Sequence, residues 1–312
     1  MRVILRAGLW LTLLAVGVAA QDAKPKRQIA VTFDDLPAQR GNLAQMQEQT
    51  DKVLASITRH RIPAVGFVNE GKLYAKGEVD ERIALLQKWL DAGLELGNHT
   101  FSHINNQQAP LRDYQDDVIR GETVTGKLLQ AKGLKLRYFR HPFLFTGPTP
   151  EYKKGLDEFL AGRGYTVAPV TIDNSDYVFA YTYGWAQKRN DAATMKRVAE
   201  AYVPYMETMC EYFEELSRAS QGREIKQILL VHVNEINAGH FDDVVAMLKR
   251  RGYEFITLEE ALKDPAYQQP DAQMRWGLSW LHRWMRAKGQ KGKEEPDVPA
   301  DIMKLYEQAQ KK

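Results

Sequence analysis

The chain of 312 residues contains one cysteine, Cys210, so an internal disulfide is excluded and stability must come from a buried core. Cys210 sits in a helical stretch with no motif around it and reads as a packing residue. An excess of either charge is also missing, since 43 Lys+Arg stand against 40 Asp+Glu for a net +3. That balance leaves no electrostatic footprint for nucleic acid or for an anionic membrane surface. Internal repeats and low-complexity blocks are absent. Beyond the N-terminus, no apolar run reaches the roughly 20 residues that a bilayer span needs.

What is present is ordinary for a globular protein with a full core: 44% hydrophobic and 27% charged residues. The N-terminus differs. "MRVILRAGLWLTLLAVGVAA" carries Arg2 and Arg6, then an apolar run, then the small residues Val18, Ala19 and Ala20. This pattern predicts a secretory signal peptide over 1–20, cleaved after Ala20, and a periplasmic or secreted protein. A retained membrane anchor is the rival reading. Residues 21–28, "QDAKPKRQ", read as a flexible lead.

From there, short apolar runs alternate with helical patterns, the rhythm of βα units around a parallel sheet. The strand-like runs are "QIAVTF" (28–33), "AVGFVN" (64–69), "LELGN" (94–98), "LRYFRHP" (136–142), "YTVAPVTID" (165–173), "QILLVHV" (227–233) and "YEFITL" (253–258). Helical spacing fills 43–60, 79–93, 112–133 and 149–164. Seven such runs predict a closed or nearly closed barrel, with a doubly wound open sheet as the competing architecture. A long helical stretch over 190–221 breaks the rhythm and reads as an insertion, with Pro204 as a possible kink. Past about residue 268, Trp276, Trp280 and Trp284 recur at i, i+4 and i+8. That spacing predicts one helix face, either docked on the barrel or presented to sugar or to a partner. The polar stretch that follows reads as mobile before a short terminal helix.

Polar residues gather where the apolar runs end. The first run ends in the adjacent pair Asp34-Asp35, a costly arrangement unless something compensates the repulsion. Later runs deliver His99 and His103, then Arg140 and His141, then Asp173 and Asp176, then His232. Four of the seven histidines lie at these ends, and in parallel barrels that face builds active sites. His99 and His103, four apart, share one face if they lie on a helical turn. With a carboxylate from Asp34 or Asp35 they make a His₂-carboxylate set, which leaves positions open for water and substrate. One carboxylate could then bind the cation while its neighbour serves as a base.

These pieces, in this order, resemble the polysaccharide deacetylases of carbohydrate esterase family 4, the NodB-like homology domain. "TFDD" (32–35) is similar to the family's first motif, "HTFSH" (99–103) to H-[ST]-x-x-H, "RHPF" (140–143) to R-x-P-[FY], "DNSDY" (173–177) to D-x-x-D-[WY], and "LLVH" (229–232) to L-x-x-H. The resemblance implies a distorted (β/α)7 barrel over 21–268, while the helical insertion and a C-terminal helical extension over 269–312 lie outside its motifs. It implies one divalent metal ion on Asp35, His99 and His103. Zinc leads, with cobalt, nickel or manganese also admitted by such a ligand set. It makes Asp34 the base, tuned by Arg140, and His232 the acid, oriented by Asp176. Tyr177, where a Trp is commoner, and Phe143 would touch substrate. His141 is read either as a site residue or as a structural histidine.

The implied reaction is hydrolysis of an N-acetyl group on an amino-sugar polymer or oligomer of the chitin, peptidoglycan or exopolysaccharide type. Competing readings are an O-acetyl esterase, a hydrolase of non-sugar amides or imides, a non-catalytic carbohydrate-binding barrel, and a metal-free hydrolase using Asp34 and Asp176. The expected partner is acetylated carbohydrate, with no nucleic acid and no membrane span after signal cleavage.

Overall fold

The computed structural model describes residues 27–311. The expected signal peptide and most of the flexible lead therefore lie outside the described residues. Seven parallel strands carry the fold: β1 (Arg27–Leu36), β2 (Val65–Val68), β3 (Glu95–Asn98), β4 (Tyr138–Phe139), β5 (Thr166–Val167), β6 (Gln227–His232) and β7 (Tyr253–Phe255). Between and after them run α1 (Leu43–His60), α2 (Val79–Asp91), α3 (Leu111–Arg120), α4 (Thr123–Ala131), α5 (Pro150–Gly162), α6 (Asp176–Lys188), α7 (Ala192–Gln221), α8 (Glu235–Arg250), α9 (Leu258–Leu262), α10 (Trp280–Ala287) and α11 (Ala300–Gln310).

The strand order is β5-β4-β3-β2-β1-β6, with β7 paired to the start of β1. Ile29 pairs with both Gln227 and Phe255, and Thr32 pairs with both Leu230 and Val65. Hence β7 and β2 share one edge of β1, and β6 takes the other. The chain beyond β5 closes the ring. Ala168 N–H donates to Phe139, while the Thr171 and Ile172 N–H groups donate to Ile228 across the gap. The result is the distorted (β/α)7 barrel, joined on one side by a single irregular segment.

Alternation along the strands sorts the core. On β1, Ile29, Val31 and Phe33 face the helices, where Phe33 meets Trp89 and Phe241 edge-to-face at ring separations of 5.4 and 5.2 Å. Ala30 faces inward with Val65, Phe67, Tyr138, Ala168 and Ile228, and Leu258 and Ala261 of α9 pack into the same cluster. Going up β1, the alternate series runs Ala30, Thr32, Asp34: apolar, hydroxyl, carboxylate. The barrel interior thus turns polar at the strand ends.

All seven strand-like runs hold strands at their expected places, although β4 and β5 shrink to two residues each. The helical pattern over 112–133 divides into α3 and α4 at Gly121-Glu122. The helical stretch over 190–221 is α7, continuous through Pro204, and it is preceded by a helix absent from the expectation, α6. The three-tryptophan helix face is corrected: α10 begins at Trp280, so Trp280 and Trp284 dock buried while Trp276 lies off the helix and 70% exposed. Among the described residues, no helix is long and apolar enough to cross a membrane.

Candidate active site and metal centre

The question posed by Asp34-Asp35 has a backbone answer. Register between β1 and β2 slips between Phe33 and Leu36, and Asp35 takes a left-handed φ of +68°. Aspartate tolerates that region better than most residues, and an irregularity of this kind re-aims side chains at a strand end. The two carboxylates therefore diverge. Asp34 keeps its ladder position opposite His232 on β6, while Asp35 turns toward the loop after β3.

That loop carries both histidines, and it is not a helical turn. Thr100 and His103 hold left-handed φ values of +66° and +57°. Asn98 Oδ1 accepts from Thr100 N–H at 2.7 Å, and Asp117 of α3 accepts from Ser102 N–H at 2.9 Å. Gly121 allows α3 to come this close, because a Cβ there would lie 2.8 Å from Asn98 Oδ1 and 2.9 Å from the Thr100 carbonyl carbon. The i, i+4 spacing thus brings the imidazoles together through a braced loop.

Asp35, His99 and His103 offer ligand atoms within 4.8 Å of one another. Asp35 Oδ1 lies 3.7 Å from His99 Nε2 and 3.5 Å from His103 Nε2. It is buried and has no hydrogen-bond partner. His99 Nδ1 meets the Arg140 carbonyl at 2.8 Å. A proton on Nδ1 for that bond leaves the Nε2 lone pair free, the usual arrangement of a metal-binding histidine. Burial lowers both imidazoles to about 4, against the opposing pull of Asp35, so both are neutral near pH 7. Burial alone would raise the Asp35 carboxyl, but Lys72 and then His103 hold it well below the usual range. Neutral imidazoles and an ionised carboxylate oxygen that accepts no hydrogen bond fit a divalent cation.

Lys72 escaped sequence reasoning. It lies on a short 3-10 turn after β2 and donates to the carbonyls of Asp35, Ala38 and Gln39 at 3.0, 3.3 and 3.4 Å. Its ammonium is 3.6 Å from Asp35 Oδ1. The preceding Glu70 caps the start of α4 through the N–H groups of Val124 and Thr125, and Gly71 N–H donates to Phe101. One turn therefore braces the Asp35 bend and the histidine loop together. Within "NEGK" only a lone lysine was visible, and no spacing rule marks it.

Arg140 is fully buried between strands. It donates to both Asp34 oxygens at 3.2 Å, to the Ala168 carbonyl at 2.7 Å and to Thr32 Oγ1 at 3.0 Å, with its guanidinium over the Phe67 ring. Burial pushes the Asp34 carboxyl up, with Arg140 and His232 opposing.

On the far side, His232 Nδ1 lies 2.8 Å from Asp176 Oδ1. Asp176, fully buried at the start of α6, also accepts from the His232 N–H, Asn234 Nδ2 and Asn237 Nδ2. The Tyr202 hydroxyl of α7 donates to Asn237 Oδ1 at 2.7 Å, so α7 supports this pair. Burial works against the imidazolium, yet Asp176 prevails and raises His232 to about 9. Asp173 is raised to about 6, chiefly by burial.

The outlying candidates separate. Phe143 is half-exposed and packs edge-on to His103 at a ring distance of 4.3 Å. Tyr177 is 44% exposed, beside Tyr306 of α11. His141 is buried with its ring against Phe139, and burial, then Arg283, lowers its pKa well below the usual value. Its Nδ1 finds no hydrogen-bond partner, and burial sets it apart from the exposed Phe143 and Tyr177.

A family model described as polysaccharide deacetylase matches residues 21–154, a stretch that includes Asp34, Asp35, His99, His103 and Arg140 and ends before Asp176 and His232. Over that stretch the chain is similar to the polysaccharide deacetylase family. Among relatives of this chain is the peptidoglycan-N-acetylglucosamine deacetylase PgdA of Listeria monocytogenes, 21% identical over 239 residues, covering 76% of this chain and 39% of the relative. A peptidoglycan-N-acetylglucosamine deacetylase of Bacillus cereus is 27% identical over 119 residues, 38% of this chain and 37% of that one. The chain thus spans about two fifths of the length of the curated relatives it matches. Two solved structures share the barrel fold at a TM-score of 0.51. The polysaccharide deacetylase Bc1974 from Bacillus cereus is 19% identical, covering 74% of this chain and 92% of that one. The chitin deacetylase from Colletotrichum lindemuthianum is 21% identical, covering 77% and 88%.

Proposed function

We propose that the protein is a metal-dependent hydrolase that removes N-acetyl groups from an amino-sugar polymer or oligomer outside the cytoplasm. The observation that carries this reading is the convergence at one barrel mouth of the Asp35/His99/His103 cluster, the Asp34–Arg140 pair and the His232–Asp176 pair. The peptidoglycan deacetylases among the relatives support an acetylated amino sugar as the substrate class. The signal-peptide pattern of residues 1–20 supports a periplasmic or secreted location.

Asp35, His99 and His103 would hold a divalent cation, zinc first among the candidates, which supplies Lewis acidity toward the acetyl carbonyl and lowers the pKa of water. Lys72 holds the bend that presents Asp35. Asp34 takes the proton of the attacking water. Burial makes it a stronger base than a free carboxylate, and Arg140 keeps it oriented and ionised. His232, kept as imidazolium by Asp176, gives its proton to the departing nitrogen. An amine leaves poorly without that proton, whereas an alcohol needs it less. The four hydrogen bonds converging on Asp176 therefore favour an amide over an ester. Tyr177 and Phe143 flank the mouth and would contact the sugar.

The test is acetate release from N-acetylated chito-oligosaccharides, peptidoglycan fragments and a simple acetyl ester, by wild type and His232→Ala. The expected result is amide hydrolysis lowered at least ~100-fold in the variant, with ester hydrolysis retained. Near-normal amide turnover by His232→Ala would remove the acid role. Wild-type release from the ester alone would replace the proposal with an O-acetyl esterase.

A further inference from the structure

Trp276 is the most exposed large apolar side chain among the described residues, yet its backbone is fixed. Gly277 lies against Phe143 so closely that an added Cβ would sit 1.7 Å from the Phe143 carbonyl oxygen. Arg283, fully buried, donates to the Leu144 carbonyl at 2.6 Å, Thr146 Oγ1 at 3.0 Å, the Leu278 carbonyl at 3.1 Å and the Trp276 carbonyl at 3.3 Å. One guanidinium thus ties the loop after β4 to the C-terminal extension. Phe143 and Leu144 both hold left-handed φ values of +55°, a conformation that side chains of their size adopt only when surrounding contacts enforce it.

Phe143, whose ring lies against His103, therefore sits next to the clamped backbone that displays Trp276, with Gly277 packed on the Phe143 carbonyl. An exposed indole forgoes the stabilisation of burial, and holding its backbone rigid lowers the entropic cost of binding a flat partner. Sugar rings offer such a partner, since their C–H-bearing faces are apolar and stack on the electron-rich face of an indole. Continuity with the candidate centre through Phe143 selects the occupant.

We infer that Trp276 and Phe143 form a stacking subsite for a sugar unit flanking the one that is deacetylated, with Trp276 supplied by the C-terminal extension. This rests on the proposed deacetylase reading. The subsite makes the extension a reader of chain length, while the residues around Asp34 and His232 carry out the reaction.

The experiment compares wild type, Trp276→Ala and Trp276→Phe on an N-acetylated chitin disaccharide and on a longer oligomer. Calorimetric titration of the longer oligomer into chelator-stripped protein accompanies the kinetics. Trp276→Ala should raise KM for the longer oligomer by roughly tenfold and weaken calorimetric binding by a similar factor. Its kcat and its kinetics on the disaccharide should stay near wild type, and Trp276→Phe should recover most of the loss. Unchanged KM and unchanged binding in Trp276→Ala would overturn the subsite, as would equal losses on both substrates. If wild type releases no acetate from any sugar, the deacetylase reading fails by itself, and the titration still decides whether Trp276 binds saccharide.

Discussion

His232 and Asp176 set the upper pH limit of the proposed reaction. The acid must carry its proton when the nitrogen departs, so once Asp34 is ionised activity holds while His232 is imidazolium and falls as pH rises through about 9. Asp176→Asn removes the partner that opposes burial, and burial then lowers the imidazole. The alkaline limb of kcat against pH should move down by roughly 1–3 units in that variant. A limb that stays near 9 would show that His232 is not the titrating acid. Arg140 tells a related story at the base: with its guanidinium fully buried against Asp34, neither partner can be removed without stranding the other's charge.

Local elements decide where these residues point, and here the sequence was only partly legible. The apolar run "QIAVTF" and the "TFDD" stretch placed both aspartates at a strand end, because a short buried run bounded by charged residues is visible in the residues themselves. The slip in register and the left-handed Asp35 that separate the carboxylates were not, since aspartate only permits that backbone. The i, i+4 spacing suggested a helix under His99 and His103. The actual loop depends on Asn98, Asp117 and Gly121, whose roles arise only once α3 packs. Lys72 was missed because its partners are backbone carbonyls, which leave no mark in composition. Trp276, grouped with Trp280 and Trp284 by spacing, left the helix because α10 starts at the Ser279 cap, whose hydroxyl accepts from Leu281 N–H. Gly121→Ala tests the loop. Its new Cβ must displace Asn98 or Thr100, so metal affinity measured by calorimetry should fall, up to ~100-fold, while far-UV circular dichroism stays native. Unaltered affinity would mean that the loop yields without moving its histidines.

Over the whole molecule, the barrel places three kinds of chemistry on one face. β1 and β6 bring Asp34 and His232 into register, the loop after β3 brings the histidines, and α7, first read as an insertion, braces Asp176 through Tyr202 and Asn237. A cation bound only by the folded state stabilises it by mass action, about 2.7 kcal/mol at a hundred times Kd. Zinc should therefore raise the Tm of chelator-stripped wild type by several degrees and leave a His99→Ala/His103→Ala variant unmoved. An equal rise in both would place the cation elsewhere.

The central claim is that these residues form a metal-dependent deacetylase centre. The most direct measurement is acetate released from N-acetylated chito-oligosaccharide by protein stripped with chelator and then re-supplied with zinc or cobalt. The account predicts negligible release after stripping and recovery on adding metal, with no recovery in Asp35→Ala. Release that persists undiminished after stripping, or that returns fully in Asp35→Ala, would contradict it.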